Sequence, residues 1–344
     1  MPDYKRIATE EAFATREQLR LFGKLLDDGY DDPGFLSLWG FYLRSPGERA
    51  RFIIDRLQDL GPARIADMDA SGIDVQVLSL TSPGVQVFDA ATANALASSS
   101  NDELAAAIAK YPTRYVGLAA AAPQDPAAAA KEIERGVAKL GLRGVILNSH
   151  TRGERLDNPK FWDIFAAAEA LDVPIYLHPN SPPRDMIQPY LEVGLDGAVF
   201  GFQAETGLHM LRIIVAGVFD RFPKLKMIIG HCGEALPFWL YRIDYMHGAA
   251  TRANRHPHMP KLKRTPGEYL RDNVYVTNSG VAWAPAIMLC HQVMGPDHTL
   301  YAMDYPYQYL PSEVTVSDEL PMSAADKKKY FQTNAERLFR IGTR

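Results

Sequence analysis

The sequence predicts an α/β chain folded as a TIM-type (β/α)8 barrel, with an inserted lid segment after the first strand. Three observations lead there. Eight short apolar runs of strand length recur along the chain, and helical patterns separate most of them. The runs are apolar throughout rather than alternating, as suits parallel strands covered on both faces. Eight such units in 344 residues favour closure into one barrel over an open doubly wound sheet.

Taken in order, residues 6–9 form the first strand and end in Glu10-Glu11. A long connection, residues 13–51, follows. It holds a helical piece at 20–26 and an aromatic loop at 36–42, and connections of that length serve as lids or binding loops. Residues 52–68 read as one amphipathic helix. Strands are expected at 76–80, 115–119, 144–148, 174–178, 226–231 and 274–277. Helices are expected at 90–110, 127–140 with Gly141 past the end, 158–170, 205–220, 236–246, 286–294 and 324–339, and the alanine-rich stretch 119–130 reads as helix material. The last strand begins at Thr299, breaks at Asp304 and cannot go on pairing through Pro306. No linker or shift in composition divides the chain, so residues 1–344 read as one domain.

Composition narrows the function. The chain is 47% hydrophobic and 23% charged, which is ordinary for a globular protein. A formal net charge of -4 supplies no basic field and argues against a nucleic-acid partner. Two cysteines, Cys232 and Cys290, make no disulfide framework, so a reducing cytoplasm is the expected compartment. No signal-peptide pattern opens the chain and no apolar run is long enough to span a bilayer, so no membrane role is expected.

The chemistry sits where the strands end. Glu10, His178, His231 and Asp304 each close a predicted strand, and in a parallel barrel those ends share one rim. Any one alone reads as an ordinary turn or core residue. Together, two carboxylates and one or two imidazoles suit a divalent cation, which neutralises buried acid while neutral imidazole binds as a base. Such a set favours Mn²⁺, Zn²⁺ or Fe²⁺ over an all-oxygen Ca²⁺ site. Glu11, one residue on, is expected to point outward, away from Glu10. His209 lies among apolar helical neighbours and reads as structural, His256 and His258 read as solvated, and the 39–42 aromatics are open between core and binding surface.

The strings Ile7-Ala8-Thr9-Glu10-Glu11-Ala12-Phe13, Leu177-His178-Pro179, Ile229-Gly230-His231-Cys232-Gly233-Glu234 and Met303-Asp304-Tyr305-Pro306 resemble the amidohydrolase superfamily. Within it they resemble the metal-dependent aromatic acid decarboxylases, which use no organic cofactor, and the resemblance runs nearly end to end. It implies Glu10, His178 and Asp304 as metal ligands, with Mn²⁺ the ion. It implies His231 beside the metal in contact with substrate, with Glu234 as its acidic neighbour. It implies Arg49, Arg242 and Tyr307 as groups that hold the carboxylate and oxygen substituents of a small aromatic acid. Homodimers or homotetramers are the family's habit. Hydrolases of the superfamily open with His-x-His; here the pattern is Glu10-Glu11-Ala12, one imidazole short.

The activity this implies is non-oxidative removal of CO₂ from a hydroxylated aromatic acid, with Asp304 as proton carrier and His231 with Glu234 orienting the substrate. Two rivals stand beside it. One is a metal-dependent hydrolase or lactonase using the same barrel with a metal-activated water. The other is a barrel that binds aromatic acids without turnover.

Overall fold

The computed structural model describes residues 3–342. Its parallel strands, in chain order, are β1 (Ile7–Phe13), β2 (Val75–Leu80), β3 (Tyr115–Gly117), β4 (Ala119–Ala120), β5 (Val145–Asn148), β6 (Ile175–His178), β7 (Met227–Ile229), β8 (Val274–Thr277) and β9 (Thr299–Leu300). β1 to β3 pair consecutively, and so do β4 to β9. β3 and β4 are halves of one stave parted only by Leu118, whose N–H returns to Leu78 O while Ala119 N–H turns to Gly144 O. The ring closes where Thr9 N–H donates to Tyr301 O at 3.0 Å and Ala12 N–H to Tyr305 O at 2.7 Å. The expected TIM-type barrel is the observed one.

Local chemistry explains the elements. β2 is buried at every position, because the ring covers one face and helices the other. Helix starts carry acceptor side chains: Thr15, Asp32, Asp89 and Asp125 each accept a backbone N–H from the first turn. Each such cap contributes about 1 kcal/mol. Trp39 is fully buried in the Pro33–Arg44 helix and donates its indole N–H to Ser82 O at 3.0 Å, which ties the inserted segment to the rim. No helix among the described residues is long and apolar enough to cross a membrane.

Several expectations need correction. The aromatic stretch 36–42 is helix, not loop; Asp32 caps it and Pro33 occupies its first turn. The single helix expected at 52–68 is two, Glu48–Gln58 and Pro62–Ser71, because Gly61-Pro62 starts the second afresh. The 119–130 stretch begins as strand at Ala119–Ala120, and helix starts only at Pro126. The Pro266–Asn273 helix, with its Thr265–Glu268 capping box, escaped the reading. β1 does not end at Glu10 but continues to Phe13. Glu11 does face away from Glu10, yet it is fully buried rather than outward in solvent.

Candidate active site

β1, β6 and the loops after β7 and β9 bring Glu10, His178, His231 and Asp304 to one end of the ring. His178 Nε2 lies 3.3 Å from Glu10 Oε1, and His231 Nε2 lies 3.5 Å from the same oxygen. Ligand atoms of Glu10, His231 and Asp304 all fall within 4.8 Å of one another.

The hydrogen bonds orient each group. His178 Nδ1 pairs with Pro179 O at 2.9 Å, and His231 Nδ1 pairs with Glu234 Oε1 at 2.8 Å. Both contacts engage Nδ1 and turn Nε2 toward Glu10. Glu10 Oε2 accepts from the Tyr176 hydroxyl and, at 3.3 Å, from Thr277 Oγ1. Glu10 Oε1 is buried without a hydrogen bond. A buried carboxylate oxygen with no hydrogen bond of its own calls for positive charge beside it, and two imidazole nitrogens with a second carboxylate nearby offer ligands to a cation. The donor set therefore fits a divalent ion.

Titration points the same way. Burial opposes charge on His231, but Glu234, Glu10 and Asp304 outweigh it and raise its pKa to about 10. Burial, reinforced by Glu10, pushes Asp304 up to about 7. Glu10 is held down: burial raises it, and the charges of His231 and His178 overcome that. The site carries more buried acid than its imidazoles balance, so without metal it stores protons.

Those protons set a pH dependence. Asp304 rises from 3.8 to about 7, so the metal-free fold loses the stability this proton gives between about pH 4 and pH 7. His231 rises from 6.5 to about 10, so its contribution is lost over that higher range. A cation must displace the Asp304 proton. Apparent Mn²⁺ affinity should therefore climb by up to about tenfold per pH unit below 7 and then level off. Calorimetric titration at three pH values checks this; affinity flat from pH 5.5 to 7 contradicts it, and a continued rise above 7 assigns His231 a proton-releasing ligand role.

Backbone geometry makes room for the cluster. A Cβ at Gly230 would stand 2.5 Å from Glu10 Oε2, and one at Gly280 would stand 3.1 Å from Asp304 Oδ2. His231, Cys232, Gly233, Glu234 and Ala235 all have positive φ, from 49° to 71°. Five left-handed residues in succession, four of them not glycine, carry strain of the kind that accompanies functional sites. The turn aims His231 and Glu234 inward together. Asp304 is left-handed as well, with φ 68°.

Above the cluster opens a cleft bordered by Leu38, Tyr42, Ala198, Phe202, Arg49 and Tyr307. Arg49 donates to Tyr307 O at 2.8 Å. The Tyr307 hydroxyl meets Thr81 Oγ1 at 2.6 Å, and burial raises its pKa. Arg242 does not join them: it is exposed on the Leu236–Arg252 helix and absent from this cleft. His209 is fully buried, accepts Leu156 N–H at 2.8 Å and meets Ser149 Oγ at 3.0 Å, a structural role as expected. Trp39 is core, while its helix neighbour Tyr42 borders the cleft.

Sequence reasoning missed Tyr176, Thr277, Thr81 and Glu11. For Tyr176 the signal was present: it sits two residues before His178 on the same strand face. Thr81 and Thr277 close strands as small hydroxyl residues, which no pattern separates from ordinary turn starts.

The fold and this cluster define a metal-dependent barrel of the amidohydrolase family, to which the chain belongs: the family profile, described as amidohydrolase, matches residues 49–341. Among solved structures, 5-carboxyvanillate decarboxylase from Novosphingobium aromaticivorans, complexed with manganese and 4-hydroxy-3-methoxy-5-nitrobenzoic acid, is 56% identical at TM-score 0.97 over 98% of this chain and 97% of that one. The 5-carboxyvanillate decarboxylase of Sphingomonas paucimobilis is 39% identical at TM-score 0.93 over 98% and 99%. A γ-resorcylate decarboxylase of Polaromonas sp. is 34% identical over 98% of both chains.

Proposed function

We propose that this chain is a divalent-metal-dependent, non-oxidative decarboxylase of a hydroxylated aromatic acid, with 5-carboxyvanillate as substrate and vanillate and CO₂ as products. The observation that carries the reading is the unpartnered Glu10 Oε1 facing two imidazole nitrogens beneath an aromatic-lined cleft. The likeness to manganese-bound 5-carboxyvanillate decarboxylase supports the choice of ion and substrate.

Glu10, His178 and Asp304 would hold Mn²⁺, with Zn²⁺ or Fe²⁺ as alternatives of the same donor preference. Bound there, the ion supplies Lewis-acid chemistry that eases ionisation of a phenol. Asp304, left unprotonated when the ion binds, would take up the proton given up as the phenol ionises and deliver it to the ring carbon bearing the carboxylate. The bond to CO₂ then breaks, its electron pair returns to the ring, and the product phenolate takes a proton from water. His231, fixed by Glu234, donates from Nε2 to a substrate oxygen. Arg49 and Tyr307 hold the second carboxylate and the oxygen substituents; a guanidinium fork suits a carboxylate.

We read residues 1–344 as one barrel domain, with 13–51 as the lid over the cleft, working in a reducing cytoplasm with Cys232 and Cys290 as free thiols. We assign a homodimer or homotetramer to the exposed aromatic face of the Leu236–Arg252 helix. There Phe238 is 66%, Tyr241 82% and Tyr245 61% exposed. Arg242 lies on that face, so we assign it to the pocket of a neighbouring copy. Sedimentation should give two or four copies, and Arg242→Ala should raise KM several-fold; a monomer removes the assembly, and an unchanged KM removes the anchor.

Turnover of a panel by Mn²⁺-loaded protein, followed by ultraviolet absorbance, tests the substrate. 5-Carboxyvanillate should exceed 2,6-dihydroxybenzoate in kcat/KM by at least about tenfold, the scale set by a few pocket contacts. A reversed order assigns the simpler acid. Hydrolysis of lactones without CO₂ release from any aromatic acid overturns the reading.

A further inference from the structure

Glu11 is a carboxylate at zero exposure beside a metal-site residue, and the chemistry above does not use it. Its two oxygens have separate partners. Oε1 accepts the N–H of Met303 at 2.9 Å, and Oε2 accepts the N–H of Tyr305 at 3.1 Å. These N–H groups belong to the residues before and after Asp304, which is itself in the left-handed region.

The location explains the device. Register along β1 slips between Ala8 and Glu11, and β9 is assigned only at Thr299–Leu300. Backbone pairing across the closing seam is present at Thr9 and Ala12. Between them a side chain does what a strand would do, receiving both amides that regular pairing leaves over. Burial of an unmet amide is costly, so these contacts are strongly held. Behind Glu11, the buried Arg64 donates to Ala12 O at 2.7 Å and packs its guanidinium 4.5 Å from the centre of the Tyr305 ring. Arg64 thus braces the strand that carries Glu11 and the ring that follows Asp304.

We propose that Glu11 is a positioning residue that fixes the Asp304 carboxylate toward the metal by holding the backbone N–H groups of the residues on either side of it. The proposal rests on the reading of Asp304 as ligand and proton carrier. A carboxylate can accept both amides; an amide side chain of the same shape turns an NH₂ toward one of them. Glu11→Gln therefore releases one side of the clamp while keeping volume and packing.

The test uses full-length protein loaded with Mn²⁺. Glu11→Gln should weaken Mn²⁺ binding, measured by calorimetry on the metal-stripped protein, by about tenfold or more, the scale seen when groups behind a ligand are lost. At saturating Mn²⁺ its kcat should fall by a similar factor with KM within twofold. Asn334→Ala is the structural control: it removes buried hydrogen bonds to Pro296 O and Thr299 O without touching the Asp304 amides. It should lower Tm and leave Mn²⁺ affinity unchanged. If Glu11→Gln behaves like that control, the proposal is overturned. Should Glu11→Gln not fold, Glu11→Asp, which keeps both acceptor oxygens but cannot span both amides, is judged by the same criteria. Asp304→Asn, measured alongside, separates the two ideas: an active Asp304→Asn defeats the reading of Asp304, whereas an inactive one with an unaffected Glu11→Gln defeats the clamp alone.

Discussion

Asp304→Asn is expected to leave a folded protein that releases CO₂ about a thousandfold more slowly than the parent, the scale of a lost general acid. The substitution keeps the size and one ligating oxygen of the side chain but removes its capacity to take up and pass on a proton. Fold should survive, because Asp304 is placed by its flanking amides and not by bonds of its own carboxylate. Release of labelled CO₂ under saturating substrate and Mn²⁺, with Tm recorded in parallel, reads the outcome. A variant within tenfold of the parent in kcat would move the proton to another group, and His231 is the one facing Glu10 beside it.

The second large effect concerns metal retention. His178→Ala should lose Mn²⁺ after dialysis, with affinity lower by at least about a hundredfold, because His178 is the proposed ligand itself rather than a group behind one. His178 is preset for the role: its Nδ1 is engaged by Pro179 O, so Nε2 faces Glu10 Oε1 as a base. Elemental analysis of the purified variant decides. Metal content equal to the parent's would remove His178 from the ligand set and leave Glu10, His231 and Asp304, whose ligand atoms already lie within 4.8 Å of one another. The same measurement on His231→Ala completes the comparison; there the expected loss is mainly of turnover.

The barrel was legible because its strands are short apolar runs at regular spacing, and that pattern survives at single-sequence level. The cluster was legible for a related reason: in parallel strands, position at the C-terminal end alone brings distant residues together. Neither argument extends to what depends on backbone reversal. Nothing in Gly230-His231-Cys232-Gly233-Glu234-Ala235 announces five left-handed residues in a row, since only one of the five is glycine. Glu11 misled for another reason. Alternation correctly turned it from Glu10, but a barrel strand has helices behind it, so facing away from the site meant burial and not solvent. Arg242 lies off the cleft within one copy of the chain, a placement that residue spacing alone does not reveal.

The cleft has two walls of unlike origin. One is the ring itself, where a single added methyl at Gly230 would collide with Glu10. The other comes from segments outside the ring: Leu38 and Tyr42 on the Pro33–Arg44 helix, and Ala198 and Phe202 at the start of the Gly201–Val215 helix. Reactivity and selectivity are therefore housed in separate parts of the chain. An engineer who wants a bulkier or barer arene accepted has a short address list, four side chains on the outer wall, and can redraw it while the machinery that breaks the carbon–carbon bond stays untouched.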